Sequence, residues 1–148
     1  MIKLTAVALV AAYAVVHPTN PDQWSATLVP SNGSTVSGTA TAESGIPDST
    51  RLKISIRGAE PNASLPWHIH NGACGSAGEI LGSESAYPAL QVSGGGTAEA
   101  TVTLAIRPSK TGSYAVQVHK GTAAPDKPGS DVISCGDLKP VMNKMPSN

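Results

Sequence analysis

The sequence predicts an all-β domain, an antiparallel sandwich or Greek-key barrel of about eight short strands. Several short segments alternate apolar and polar residues with a period of two, which is typical of strands with one buried face. Fifteen glycines and twelve prolines are spread in small clusters between these segments, where turns are expected. After residue 16, no segment has the apolar period of a helix.

The individual strands differ in how clearly they alternate. The clearest alternation runs over residues 52–56, 102–106 and 114–118, where every second residue is aliphatic or aromatic. Weaker strand candidates are residues 24–30, 35–43, 66–70, 89–93 and 131–135. Turn-forming residues occupy 31–34, 59–64, 93–96 and 108–113, so the predicted connections are short.

Length and charge narrow the class of protein. A chain of 148 residues suffices for one domain with its own core. Ten basic and ten acidic residues give a net charge of zero, without a basic stripe. A nucleic-acid-binding surface is therefore not expected. Phenylalanine is absent, so valine, isoleucine, leucine and alanine must fill the core.

The first residues have the features of a secretory signal. Lys3 precedes an apolar run, and Ala12-Tyr13-Ala14 has the small-x-small pattern of a signal-peptidase site. We therefore expect a signal peptide at 1–14, with a buried N-terminal helix as the alternative. The run is too short for a membrane span, so the expected location is secreted or periplasmic, without a membrane anchor. The rest is then divided into an N-terminal segment at 15–23, a β-domain at 24–138 and a tail at 139–148.

The two cysteines, Cys74 and Cys135, fit this interpretation. In an oxidising compartment an isolated pair normally forms a disulfide. Closing a loop of this length stabilises the fold by roughly 4 kcal/mol in the chain-entropy model. Metal ligation is the alternative, although neither cysteine has a nearby second cysteine.

Three of the four histidines are expected on the outer faces of two strands. Residues i and i+2 of a strand share a face, so His68 and His70 project together while Trp67 and Ile69 turn inward. By the same reasoning His119 projects outward. Three imidazoles suit copper or zinc and are compatible with a trigonal Cu(I) site. An incidental or structural role for the histidines is the alternative.

These motifs resemble those of the copper/zinc superoxide dismutases. Trp67-His68-Ile69-His70 is similar to the aromatic-His-x-His strand of that family, and Cys74-Gly75-Ser76-Ala77-Gly78 to the segment after it. Val118-His119 and Cys135-Gly136 match two later motifs in the same order. The resemblance covers residues 24–138. It implies an eight-stranded Greek-key barrel, copper ligands His68, His70 and His119, and a disulfide between the two cysteines.

The departures from the family pattern concern zinc and catalysis. Ile80 stands where the resemblance implies a histidine that bridges copper and zinc, and the following segment to residue 96 has no histidine. Val132 stands where an arginine would guide superoxide. We therefore expect copper without zinc, with Lys120 and Lys127 as the candidate anion guides. The resemblance implies that the bridging histidine delivers a proton to the forming peroxide. Without this histidine, the proton must come from water or from a neighbour such as Glu79.

Auxiliary copper ligands are a further hypothesis. Cleavage after Ala14 would place His17 third in the mature chain, where the amine, two amide nitrogens and the imidazole suit Cu(II). Met142 and Met145 form a Met-x-x-Met pair of soft thioethers suited to Cu(I). The simpler interpretations are an incidental histidine in a tail and an ordinary apolar contact.

The expected function is that of an exported, superoxide dismutase-like copper protein with residual dismutation by Cu(II)/Cu(I) cycling. Its expected partners are copper ion and superoxide. One alternative is a copper carrier or store without catalysis. The other is a disulfide-bonded structural or adhesion module that binds no metal.

Overall fold

The computed structural model describes residues 22–45, 47–121 and 131–142, and these ranges form an all-β structure. Two short 3₁₀ helices, Cys74–Ser76 and Glu84–Ala86, are the helical segments in the described part of the chain. The strands are β1 Gln23–Pro30, β2 Ser37–Gly45, β3 Ser49–Arg57, β4 Ser64–Leu65, β5 Trp67–Asn71, β6 Leu90–Gln91, β7 Ala98–Leu104, β8 Tyr114–His119 and β9 Val132–Pro140.

Seven of the strands form one antiparallel sheet that curls into a half-barrel. Their order is β5-β8-β9-β1-β2-β3-β7, and β4 pairs separately with β6. Pro66, which has no backbone N–H to donate, separates β4 from β5. The predicted antiparallel all-β class is confirmed. The eight-stranded Greek-key barrel implied by the resemblance stays a prediction.

The core lies on the inner face of this sheet. Alternate residues of β1, β2 and β3 are buried, as the period of two predicts. Trp67 and Ile69 of β5 are also in the core, each 1% exposed. This burial confirms that the two histidines of β5 lie on the opposite face from the core residues.

β8 is covered on both faces, which the alternation did not predict. Every residue from Tyr114 to Val118 is buried, including Ala115 and Gln117 on the outer side. On this outer side Ala115, Val132 and Cys135 form a second apolar cluster, against which Cys74 packs. The segment that follows β5 thus covers the outer face of β8, because its cysteine packs there.

A disulfide between Cys74 and Cys135 holds this covering segment, as predicted. The backbone N–H of Cys74 also donates to Asp137 Oδ1 at 2.8 Å. Gly72 begins the segment with a φ of +94°, and a Cβ there would lie 2.5 Å from the carbonyl oxygen of Ser76. Only glycine combines this φ with so close a backbone approach. We name residues 72–80 the covering loop.

Some predictions fall on residues outside the described ranges. These are the signal peptide at 1–14 and the candidate ligands or guides His17, Lys127 and Met145. Among the described residues, none of the helices has the length and hydropathy needed to span a membrane.

Candidate metal centre

His68, His70 and His119 converge at the edge where β5 pairs with β8. His68 lies opposite Gln117 and His70 opposite Ala115 in this antiparallel pair. A register irregularity follows Val118, so His119 lies at the end of β8. The ring centroids are 5.9 Å apart for His68 and His70, 5.3 Å for His68 and His119, and 5.7 Å for His70 and His119. The three rings therefore form a nearly equilateral triangle.

The nitrogen atoms of these rings are close enough to share a metal ion. One ring nitrogen from each histidine lies within 4.8 Å of the other two. Metal–nitrogen bonds of about 2.0–2.1 Å in a trigonal set separate the nitrogens by about 3.5 Å, so small ring movements would complete the set. The three predicted ligands are thus together, and they could hold a metal. The geometry does not determine which metal.

Hydrogen bonds at Nδ1 orient two of the three rings. Nδ1–H of His70 donates to the carbonyl oxygen of Gly78 at 2.8 Å, and Nδ1 of His119 lies 3.0 Å from Asp131 Oδ2. In a neutral imidazole that donates through Nδ1, Nε2 carries a lone pair. Nε2 of both rings is buried without a hydrogen-bond partner. Burying an unpartnered polar atom costs free energy, which a bound metal would offset.

The imidazoles of His68 and His119 are neutral at physiological pH. Burial lowers the pKa of His68 to about 4, and the nearby His119 adds to this effect. Burial also lowers the pKa of His119, although the Asp131 carboxylate acts in the opposite direction. Metal ligation requires neutral imidazole, so these depressed pKa values keep the lone pairs available at pH 7.

Tyr87 forms the inner wall of the site. Its ring centroid lies 5.4 Å from that of His68 and 5.2 Å from that of Trp67, both edge to face. Its hydroxyl donates to the carbonyl oxygen of Leu81 at 2.6 Å. Burial raises the pKa of Tyr87 to about 12, so the phenol stays protonated. The ring therefore holds His68 in place without adding charge.

An open cleft of about 370 Å³ connects the histidines with solvent. His70 and His119 line it together with Gln117, Asp131 and residues 74–78 of the covering loop. His68 is 7% exposed and is absent from the lining. A small ligand can therefore approach the cluster from the side of His70 and His119.

Ile80 lies beside His70. The two residues form an isolated antiparallel bridge, flanked by a hydrogen bond from Leu81 N to Ile69 O at 2.7 Å. Residues paired across a bridge project to the same face, so the Ile80 side chain lies on the side of the His70 imidazole. Ile80 also packs against the core. An aliphatic side chain thus occupies the place where the resemblance implies a fourth imidazole.

The candidate anion-guiding positions lie apart from the cleft. Val132, which is opposite His119, is buried in the apolar cluster around the disulfide. Lys120 lines a different cavity, of about 600 Å³, with Glu60 and Ile133. Its role as an anion guide stays a prediction.

Met142 lies beyond the far end of β9. Its side chain is 94% exposed. The chain from Val132 to Met142 spans about 30 Å when extended, so Met142 is remote from His119. A role as an auxiliary copper ligand in a second site stays a prediction.

Three residues of the site were missed by the sequence reasoning: Gly78, Tyr87 and Asp131. Asp131 begins the segment predicted as a strand, but nothing in the sequence indicates that it faces His119. Gly78 belongs to a matched motif, but it contacts His70 through its backbone carbonyl oxygen. Every residue has such an oxygen, so the residue type does not indicate this contact. Tyr87 is the aromatic residue nearest to the motif on its C-terminal side, and this is the one signal that was available.

No protein-family model matches this sequence, and a search of curated proteins finds no match either. The fold and the site define an all-β, disulfide-bonded protein whose three clustered histidines could hold a metal ion.

Proposed function

We propose that this chain is an exported, superoxide dismutase-like protein that binds one copper ion through His68, His70 and His119, without zinc. One observation carries the proposal. Three imidazoles converge within reach of a common ion, and the Nε2 atoms of His70 and His119 are buried without a partner. The order of motifs along the sequence supports copper in particular.

The absence of a zinc subsite is supported by the residues around Ile80. A structural zinc site takes four ligands, usually cysteine and histidine. Residues 79–96 contain no histidine, and both cysteines are in the disulfide. Within the described ranges, ligating side chains converge in the histidine cluster and in no second group.

Copper, when bound, would supply one-electron exchange between Cu(II) and Cu(I), which is the chemistry that superoxide dismutation needs. The chain's own residues set how fast superoxide can arrive. Lysine and arginine are absent from the described lining of the cleft, and Asp131 lies at its edge. Without a focusing positive charge, on-rates for an anion fall by orders of magnitude. We therefore infer residual dismutation, with protons delivered by water.

The lack of lysine and arginine among the described residues that line the cleft also favours a second candidate, a copper carrier or store without catalysis. A carrier needs an accessible site and no attraction for superoxide. A superoxide assay on the copper-loaded protein separates the two functions, because only a dismutase would consume superoxide catalytically.

Metal titration of the full chain tests the proposal. Metal-free protein is titrated with Cu(I), Cu(II) and Zn(II), singly and together, and the retained metals are quantified after desalting. We expect one equivalent of copper and no stoichiometric zinc beside it. One equivalent of zinc retained with copper would mean that a zinc subsite exists. No copper retention would favour the metal-free structural or adhesion module.

Replacing Ile80 with histidine should add a fourth imidazole to the site. Because Ile80 and His70 share a face, the new ring would point toward the metal. We expect the electron paramagnetic resonance spectrum of the Cu(II) protein to shift toward a tetragonal four-nitrogen site.

Glu79→His is the matched control, since Glu79 is exposed and the residue next to Ile80 projects to the other face. Its spectrum should equal that of the wild type. Identical spectra for wild type and Ile80→His, with copper bound in both, would show that position 80 does not face the metal.

A further inference from the structure

We propose that Asp131 is a positioning residue that fixes the donor atom of His119 and favours Cu(II) over Cu(I) at the histidine site. This inference rests on the proposed function, because it concerns copper at that site. Neither the motifs of the sequence nor the resemblance assigns a role to Asp131.

The contact with His119 is direct and partly shielded from solvent. Asp131 Oδ2 lies 3.0 Å from His119 Nδ1, and the two side chains are 21% and 12% exposed. The backbone holds Asp131 in place, since the N–H of Lys120 donates to its carbonyl oxygen at 2.8 Å. A carboxylate accepts a hydrogen bond and cannot donate one, so the proton of a neutral His119 lies on Nδ1. The buried Nε2 is then the atom that faces the cluster with a free lone pair.

The partners of the two oriented rings differ in charge. Nδ1–H of His70 donates to the backbone carbonyl of Gly78, which is neutral, whereas His119 faces a carboxylate. Across the described residues, no lysine or arginine forms an ion pair with Asp131. Among the described residues, the carboxylate of Asp131 thus has the His119 ring as its ion-pair partner.

An anionic partner at Nδ1 makes the ring a more basic ligand at Nε2. A negative charge near the metal stabilises the ion of higher charge more strongly, which here is Cu(II). Asp131 should thus raise the affinity for Cu(II) more than the affinity for Cu(I). The measurable consequence is a lower reduction potential of the bound copper.

Asp131→Asn tests the charge, because it removes the carboxylate with little change in size. We expect the Cu(II) affinity to fall about 10- to 100-fold and the Cu(I) affinity to fall by less. Each tenfold fall in the ratio of Cu(II) affinity to Cu(I) affinity raises the one-electron reduction potential by about 59 mV. Both affinities are measured by competition with chelators of known strength.

Asp137→Asn is the matched control. It makes the same charge change near the disulfide, where Asp137 receives the Cys74 N–H and lines a different cavity from the histidine cleft. It should leave the ratio of Cu(II) to Cu(I) affinity unchanged. If Asp131→Asn also leaves that ratio unchanged, the inference is wrong.

A second measurement needs neither copper nor a variant. Long-range ¹H–¹⁵N NMR of the metal-free wild type identifies which nitrogen of His119 carries the proton. We expect Nδ1–H, and a ring protonated at Nε2 would overturn the positioning role. Nδ1–H in a protein that then fails to retain copper would support the positioning of His119 and contradict the proposed copper site.

Discussion

Replacing His119 with alanine should lower the affinity for Cu(I) by more than about 100-fold. Loss of an outer-shell partner of a metal ligand typically costs 10- to 100-fold in affinity, and loss of the ligand itself must cost more. The remaining His68 and His70 lie on one strand and present only two nitrogens to the ion. Competition between the protein and a chromophoric Cu(I) chelator measures the change.

The matched control for this variant is His17→Ala, which removes the fourth histidine of the sequence. The nitrogen set expected around His17 suits Cu(II), so this control should bind Cu(I) as the wild type does. Circular dichroism establishes that both variants are folded. An unchanged Cu(I) affinity in a folded His119→Ala variant would mean that the ligand assignment is wrong.

Removing the disulfide should destabilise the protein and weaken the metal site together. Replacing both Cys74 and Cys135 with alanine removes a covalent bond between residues that are 61 positions apart in the sequence. The free energy of unfolding should fall by roughly 4 kcal/mol in the chain-entropy model. The covering loop also carries the Gly78 carbonyl that orients His70, so we expect a lower copper affinity as well. Chemical denaturation and the chelator competition measure the two effects.

Ser76→Ala is a suitable control, because Ser76 is an exposed residue in the same 3₁₀ helix. It should leave both stability and copper affinity close to their wild-type values. A double cysteine variant as stable as the wild type would contradict the structural role of the link. Two alkylatable thiols in the native protein would contradict the link itself.

The parts of the fold that depend on local alternation were predictable. Residues 52–56 and 114–118 lie in strands β3 and β8, and the even-numbered ones turn inward. The strand predicted at 102–106 is β7, which ends at Leu104. Trp67 and Ile69 are in the core, as their alternation with the two histidines requires. Local periodicity reports which face of a strand is apolar, so these predictions needed no knowledge of distant contacts.

The parts that depend on distant contacts were not predictable. Ala115 and Gln117 are buried because the covering loop packs over β8, and a period of two contains no sign of that loop. The segment at 89–93 forms only the two-residue strand β6, since its partner β4 is equally short. Asp131 was missed for the same reason. Its role depends on a contact with His119, which is 12 residues away in the sequence.

The three histidines come from two strands, and this determines whether the chain folds before or after it binds copper. His68 and His70 are near each other in any conformation, whereas His119 joins them only once β8 has paired with β5. That pairing closes a long loop, which is a slow step because the loop entropy is lost before the contact forms. A complete set of three imidazoles therefore exists only in the folded chain. Copper loading would follow folding rather than direct it, and bound copper would stabilise the folded state alone.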